Sequence, residues 1–149
     1  MSASPGAVVT SLPQQTWIKV GKGRLLWYVY GTFTASTSYT TIVPSHELPL
    51  GTSQYGGFAV NVNVVVTAVS GTSPTMTVTI YYTDAIALLN GVAYWNSWFT
   101  VPGSGSITTT GLYGNGNTTT QAILGIQVAV SVGGTSPSFT AYISLSVVG

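Results

Sequence analysis

Charged residues are nearly absent from this chain: three Lys or Arg and two Asp or Glu make up 3% of its 149 residues, against about 25% in an ordinary soluble domain. Polar character comes instead from 23 Thr and 17 Ser. A buried hydroxyl needs only one hydrogen bond, whereas a buried charge is costly unless it is paired. The net charge of +1 also gives copies little mutual repulsion. We therefore expect a subunit of an assembly rather than a freely diffusing enzyme.

Cysteine and long apolar runs are also missing. Without cysteine, neither disulfides nor thiolate metal sites can form. No run of about 18 apolar residues occurs, so the sequence predicts no transmembrane helix and no membrane partner. The first residues show no basic region followed by an apolar run, and we expect no secretory signal.

Groups that could carry acid–base chemistry are few. His46 and Glu47 are adjacent, so in an extended segment their side chains point to opposite faces. Asp84 is the other carboxylate, and no Gly-x-Ser-x-Gly nucleophile turn is present. A catalytic zinc needs three protein ligands, and the chain has one histidine. We predict that the protein is not an enzyme, with no catalytic residues, no metal and no cofactor.

Apolar and hydroxyl residues alternate with a period of two along most of the chain, which is typical of half-buried antiparallel strands. The clearest segments are Phe58–Ala68, Thr75–Tyr82, Gln121–Val132 and Ser138–Val148; further candidates are Thr16–Val20, Leu25–Thr34, Tyr39–Val43, Val92–Val101 and Ser106–Tyr113. Asp84–Asn90 alone could hold a helical turn. The pattern predicts an all-β antiparallel β-sandwich, jelly-roll or related, with about eight or nine strands in one domain over residues 16–149.

Two regions fall outside the alternation. Residues 1–15 contain two prolines and no strand pattern, which predicts an extended N-terminal arm. Its apolar residues Val8, Val9 and Leu12 are interface candidates, expected to order against a neighbour. Glycine-rich stretches at Pro102–Gly105 and Gly114–Thr120 are predicted to be flexible loops.

Lys19, Lys22 and Arg24 form a basic cluster flanked by Trp17 and Trp27. Three phosphate contacts would give a salt slope of only about −2.7, so we expect no nucleic-acid partner. The cluster is better explained as a device that keeps one sheet edge soluble, or as a contact for an acidic protein surface. The two tryptophans are interface candidates.

A second aromatic group contains Tyr94, Trp95, Trp98 and Phe99. Alternation divides it between two faces, one of which we expect to be core. The other could stack on sugar rings, but a contact between subunits is favoured because tryptophan and tyrosine are enriched there. Trp95 and Trp98 are therefore further interface candidates.

The segment Val69–Thr77 is similar in sequence to Val132–Thr140, since each contains Gly-Thr-Ser-Pro between strand-like residues. We interpret each copy as a hairpin turn with a returning strand. The stretch Val69–Asp84 followed by Trp95, together with Gln127–Val147, resembles small β-sandwich structural proteins of tailed bacteriophages. The resemblance implies a capsid decoration (auxiliary or cement) protein on the virion surface. Its partners would be the major capsid protein and other copies of itself, as a homo-oligomer and specifically a trimer.

Two other function classes remain open at this point. One is a subunit of an extracellular filament or pilus, in which a strand of one copy completes the sheet of the next. The other is a carbohydrate-binding or receptor-binding β-module of a phage tail.

Overall fold

The predicted alternation produces strands along most of the chain. The computed structural model describes residues 7–9, 17–44, 57–121 and 124–149, and 74% of these residues lie in strands. In chain order the elements are β1 Ala7–Val9, β2 Ile18–Gly21, β3 Arg24–Phe33, β4 Thr37–Ile42, β5 Phe58–Asp84, α1 Ala85–Leu89, β6 Asn96–Val101, β7 Gly111–Thr119 and β8 Leu124–Val148. The all-β prediction is confirmed, and so is the short helix within Asp84–Asn90.

Two long strands form the centre of an antiparallel sheet. β5 and β8 pair with each other over almost their whole length, from Ala59 opposite Val148 to Asp84 opposite Leu124. β3 pairs with the C-terminal half of β8, and β4 pairs with its N-terminal half. β7 and β6 are arranged in the same way along the two halves of β5. β1 and β2 pair with β3 at the margin.

The two Gly-Thr-Ser-Pro segments lie opposite each other in the middle of this central pair. Thr72 is the partner of Thr135, and the register shifts on both sides of it. The prediction of two hairpin turns is wrong, because each strand continues through its segment instead of turning back. Period-two patterning before and after a glycine cannot distinguish a turn from a bend.

The backbone at each bend has left-handed residues at matching positions. Gly71 and Gly134 have φ of 110° and 108°, and Ser73 and Ser136 both have φ of 49°. A Cβ on Gly71 would lie 2.6 Å from the carbonyl oxygen of Ser136, and one on Gly134 would lie 2.6 Å from that of Ser73. The two backbones therefore approach so closely that only glycine fits at either crossing point.

The bends curl the sheet so that one apolar face encloses the core. Inward residues of both halves of β5, such as Val62 and Ile80, are fully buried in a single hydrophobic cluster. Inward residues of both halves of β8, such as Val128 and Ile143, belong to the same cluster. The predicted pairs of separate strands are thus one long strand each, so the chain is divided into strands differently from the prediction.

Residues 114–120, predicted to be a loop, lie mostly in β7, where Gly111–Thr119 pairs with β5. A larger residue is disfavoured there, because a Cβ on Gly116 would lie 2.8 Å from the backbone carbonyl oxygen of Val60 on the neighbouring strand. The bend at Pro102–Gly105 is confirmed as a connection between strands. Of the predicted strand Ser106–Tyr113, the first part makes only an isolated bridge between Ile107 and Met76.

Part of the predicted arm lies on the chain's own sheet. Ala7–Val9 pairs with Gly31–Phe33 at the margin of β3, with Val8 opposite Thr32. This short segment pairs there because the margin of β3 offers backbone groups for it to bond. Leu12 lies outside the described residues.

Alanine at the crossing should destabilise the fold in a position-specific way. Gly71→Ala and Gly134→Ala should each lower the free energy of unfolding by about 2 kcal/mol or more, because backbone strain and a backbone clash add together. Gly91→Ala, with φ of 72° and nothing within 4 Å, should cost only about 1 kcal/mol. Gly21→Ala, also in open space, should change stability by less than about 0.5 kcal/mol. Urea unfolding measures all four. Equal losses at Gly71 and Gly91 would show that the crossing is not tight.

Candidate functional site

The basic cluster lies on the β2–β3 hairpin. Lys19, Lys22 and Arg24 are all exposed, and the turn between the strands is closed by Gly23 with φ of 67°. Within the described part of the chain β2 pairs only with β3, so this hairpin forms a margin of the sheet. Its position agrees with the interpretation that the cations keep an open edge soluble.

The two tryptophans that flank the cluster have different environments. Trp17 is half-buried, and its Nε1 donates a hydrogen bond to Oγ1 of Thr41 at 2.9 Å. Trp27 is completely buried in the core. The prediction of Trp27 as an interface residue is wrong, because it lies at an inward position of β3 and its side chain packs inside the subunit. Trp17 stays a candidate.

Trp27 and Tyr39 are in contact in the core, and each carries a polar group there. Their rings meet edge to face with centroids 5.9 Å apart. Neither Nε1 of Trp27 nor the hydroxyl of Tyr39 has a hydrogen-bond partner among the described residues. Burial raises the pKa of Tyr39 from 10.0 to about 12, since a phenolate would lose its solvation there.

The aromatic group near β6 is divided as the alternation predicts. Phe99 is buried in the core, while Trp98 is half-buried and meets Tyr82 and Phe99 edge to face at 5.4 and 5.5 Å. Trp95 is also half-buried, whereas Tyr94 is 86% exposed. Trp98 is held between two neighbouring rings, so it is a poor flat platform for a sugar.

Exposed apolar side chains lie on the short helix and in the residues that follow it. Oδ1 of Asp84 accepts hydrogen bonds from the backbone N–H groups of Ile86 and Ala87 at 2.8 and 3.0 Å, which caps the helix. Ala85 then points into the protein. Ile86, Leu89, Val92 and Tyr94 are 55%, 69%, 60% and 86% exposed; we call these four residues the apolar tip. The sequence predictions did not include the apolar tip, although the run Ile-Ala-Leu-Leu indicates an apolar surface on so short a helix.

A polar groove of about 520 Å³ lies on the outer side of the sheet; its lining includes Arg24, Asn61, Asn63, Asn115 and Ser146. It extends across β3, β8, β5 and β7, and glycines on β7 leave room for the asparagine side chains of β5. Nδ2 of Asn115 donates to the carbonyl oxygen of Thr100 at 2.9 Å, which holds that amide in place. The groove could not be predicted from the sequence, because the glycine-rich residues of β7 are typical of a loop.

The described residues contain no group of three or more His, Cys, Asp or Glu that could hold a metal ion. The carboxylate of Asp84 is occupied as a helix cap, and His46 and Glu47 lie outside the described residues. Within the same part of the chain, no helix has the length and apolar character needed to cross a membrane. The same residues offer the exposed apolar tip and the polar groove.

Comparisons with family models, with curated proteins and with solved structures found no match to this chain.

Removing the Tyr39 hydroxyl, which has no hydrogen-bond partner in the described part of the chain, should stabilise the protein. Tyr39→Phe should raise the free energy of unfolding at pH 7 by about 1 kcal/mol, because folding no longer has to desolvate a hydroxyl. In the wild type, the free energy of unfolding should fall as the pH rises from 10.0 towards about 12. The unfolded chain loses the Tyr39 proton first, because burial raises the pKa in the folded protein. Tyr39→Phe should lack this alkaline loss.

Tyr94→Phe is the matched control, since Tyr94 is 86% exposed, and it should change neither quantity. Urea unfolding between neutral and alkaline pH gives both readouts. A less stable Tyr39→Phe at pH 7 would mean that the hydroxyl has a partner in the folded protein.

Proposed function

We propose that this chain is a non-enzymatic structural subunit of a virus particle, specifically a decoration protein that binds the outside of a capsid shell as an oligomer. The observation that carries the proposal is the character of its exposed surface. Large apolar side chains such as Leu89 and Leu112, 69% and 71% exposed, occur on a chain that is only 3% charged. Such surfaces are typical of proteins that are covered in an assembly.

For the fold we propose the finer description of a β-sandwich of jelly-roll type. The two halves of β5 and β8 on either side of the bends would be its two layers. This supports the role in assembly, because an uncharged sandwich surface loses little free energy through desolvation when another protein covers it. The trimeric state is an expectation from the sequence resemblance alone.

The proposed mechanism is mechanical. Each subunit would lie across a junction between major capsid proteins and add buried area that must be broken before the shell opens. A specific contact of ordinary size buries about 1,600 Å² in total. Modest affinity per subunit is sufficient, because an oligomer binds through several contacts at once.

The test is a binding isotherm on undecorated shells, assembled from the major capsid protein of the virus that the proposal implies. Binding should be saturable, and decorated shells should open at a higher temperature than bare ones. Leu89→Ser in the apolar tip should weaken binding about tenfold or more, since an exposed leucine that becomes buried contributes about 1.5 kcal/mol or more.

Val20→Ser is the control for this experiment, because Val20 is 50% exposed on β2, away from the tip. It should bind as the wild type does. No saturable binding of the wild type at up to about 100 µM, equivalent to a free energy weaker than about −5.5 kcal/mol, would reject the decoration role.

The polar groove favours carbohydrate binding as a second candidate function. It is lined by amides, a hydroxyl and the Arg24 guanidinium, groups that pair well with sugar hydroxyls. A glycan array on the wild type and on Asn63→Ala would test it. Binding that depends on Asn63, without binding to shells, would support this candidate over decoration.

A further inference from the structure

Four large side chains form a row across the outer face of the sheet. On β3, β8, β5 and β7 respectively, Tyr30 is opposite Tyr142, Tyr142 is opposite Val65, and Val65 is opposite Leu112. We call this row the apolar stripe. It lies perpendicular to the strands, on the side that faces away from the core.

The stripe is exposed although its members are large. Tyr142 is 46% exposed, Val65 38% and Leu112 71%. The rings of Tyr30 and Tyr142 stack with centroids 4.1 Å apart, which fixes both in one orientation. A rigid, ordered apolar row loses little conformational entropy when a partner covers it.

The rows on either side of the stripe are polar but uncharged. On one side, the hydroxyls of Thr32 and Thr140 lie 3.1 Å apart, and Oγ1 of Thr67 donates to the carbonyl oxygen of Thr140 at 3.3 Å. On the other side, Ser144 lies between Tyr28 and Asn63. An apolar centre with a polar rim is the anatomy of a protein interface.

The charge distribution indicates which partner fits. In the described part of the chain, the charged residues lie on the β2–β3 hairpin and at the cap of α1, outside the stripe and its two flanking rows. A partner selected by opposite charge has nothing to recognise here. A second copy of the same face brings an equally uncharged surface and leaves no charge buried without a partner.

We infer that the apolar stripe packs face to face against the same stripe of a second copy, in a two-fold pair. This inference rests on the proposed role as an assembly subunit. A patch that meets itself gives two-fold symmetry, and a straight row overlies its own copy along its full length. The stripe and its two flanking rows span four strands and five residues of each, an area of about 300 Å². That is small for a stable interface, so the pair forms in the micromolar range and is reinforced when copies are held side by side.

Charge substitution at the centre of the stripe tests the inference. Sedimentation velocity of the wild type from about 1 to about 500 µM should show a reversible dimer. Val65→Lys and Val65→Glu should each weaken dimerisation at least tenfold, because like charges meet across the two-fold axis. An equimolar mixture of the two variants should restore the dimer, which happens only if the face meets itself. Val92→Lys in the apolar tip is the matched control and should dimerise as the wild type does, and thermal unfolding verifies that all variants are folded.

Each other outcome has a defined meaning. An oligomer, a trimer included, that Val65→Lys leaves intact would overturn this inference and leave the proposed function standing. A wild type that stays monomeric but loses shell binding on Val65→Lys would show that the stripe contacts the capsid, which also overturns the inference. A wild type that neither associates nor binds shells would reject the proposed function itself.

Discussion

The crossing of β5 and β8 at Gly71 and Gly134 is the constraint on which the rest of the molecule depends. Each backbone takes the space that a Cβ on the other would need, and both have φ near 110° at that point. Because both strands bend there together, their ladder continues through the bend. All the other strands pair directly or indirectly with these two, so the position of the crossing determines where β3 and β7 lie relative to β4 and β6.

Because the sheet curls, its two faces have different environments: one encloses the core and the other is exposed. The inward face is filled by valine, isoleucine and leucine from all the major strands. The outward face contains the hydroxyls and amides, interrupted by one apolar row. A charged rim would have made this face selective for a partner of opposite sign, whereas hydroxyls permit any closely fitting uncharged surface.

The sequence predicts local features well and distant relations poorly. Period-two alternation correctly identifies the buried side of the clearest strands, and the segment Asp84–Asn90 contains the short helix. It fails at the two Gly-Thr-Ser-Pro segments, because whether a left-handed glycine turns or bends a strand depends on a partner strand far away in sequence. It fails at β7 for the same reason, since glycines beside Asn61 and Asn63 look like a loop until their neighbours are known.

The surfaces show the same limit. The amino-acid type and sequence position of Trp27 predict an interface residue, but its inward position on β3 places it in the core. The apolar stripe could not be found from any one segment, because its four residues come from four strands and become neighbours only through the register.

The pairing of β8 has a consequence for the order in which the molecule is made. β8 follows every other described element in the chain, yet β3, β4 and β5 all pair with it. During synthesis these three strands are made before the strand with which they pair. Arg24 finally pairs with Val148 across almost the whole chain, and closing so long a loop is slow. The outer face is therefore complete only once β8 has joined these strands, and copies cannot associate through it before β8 has folded.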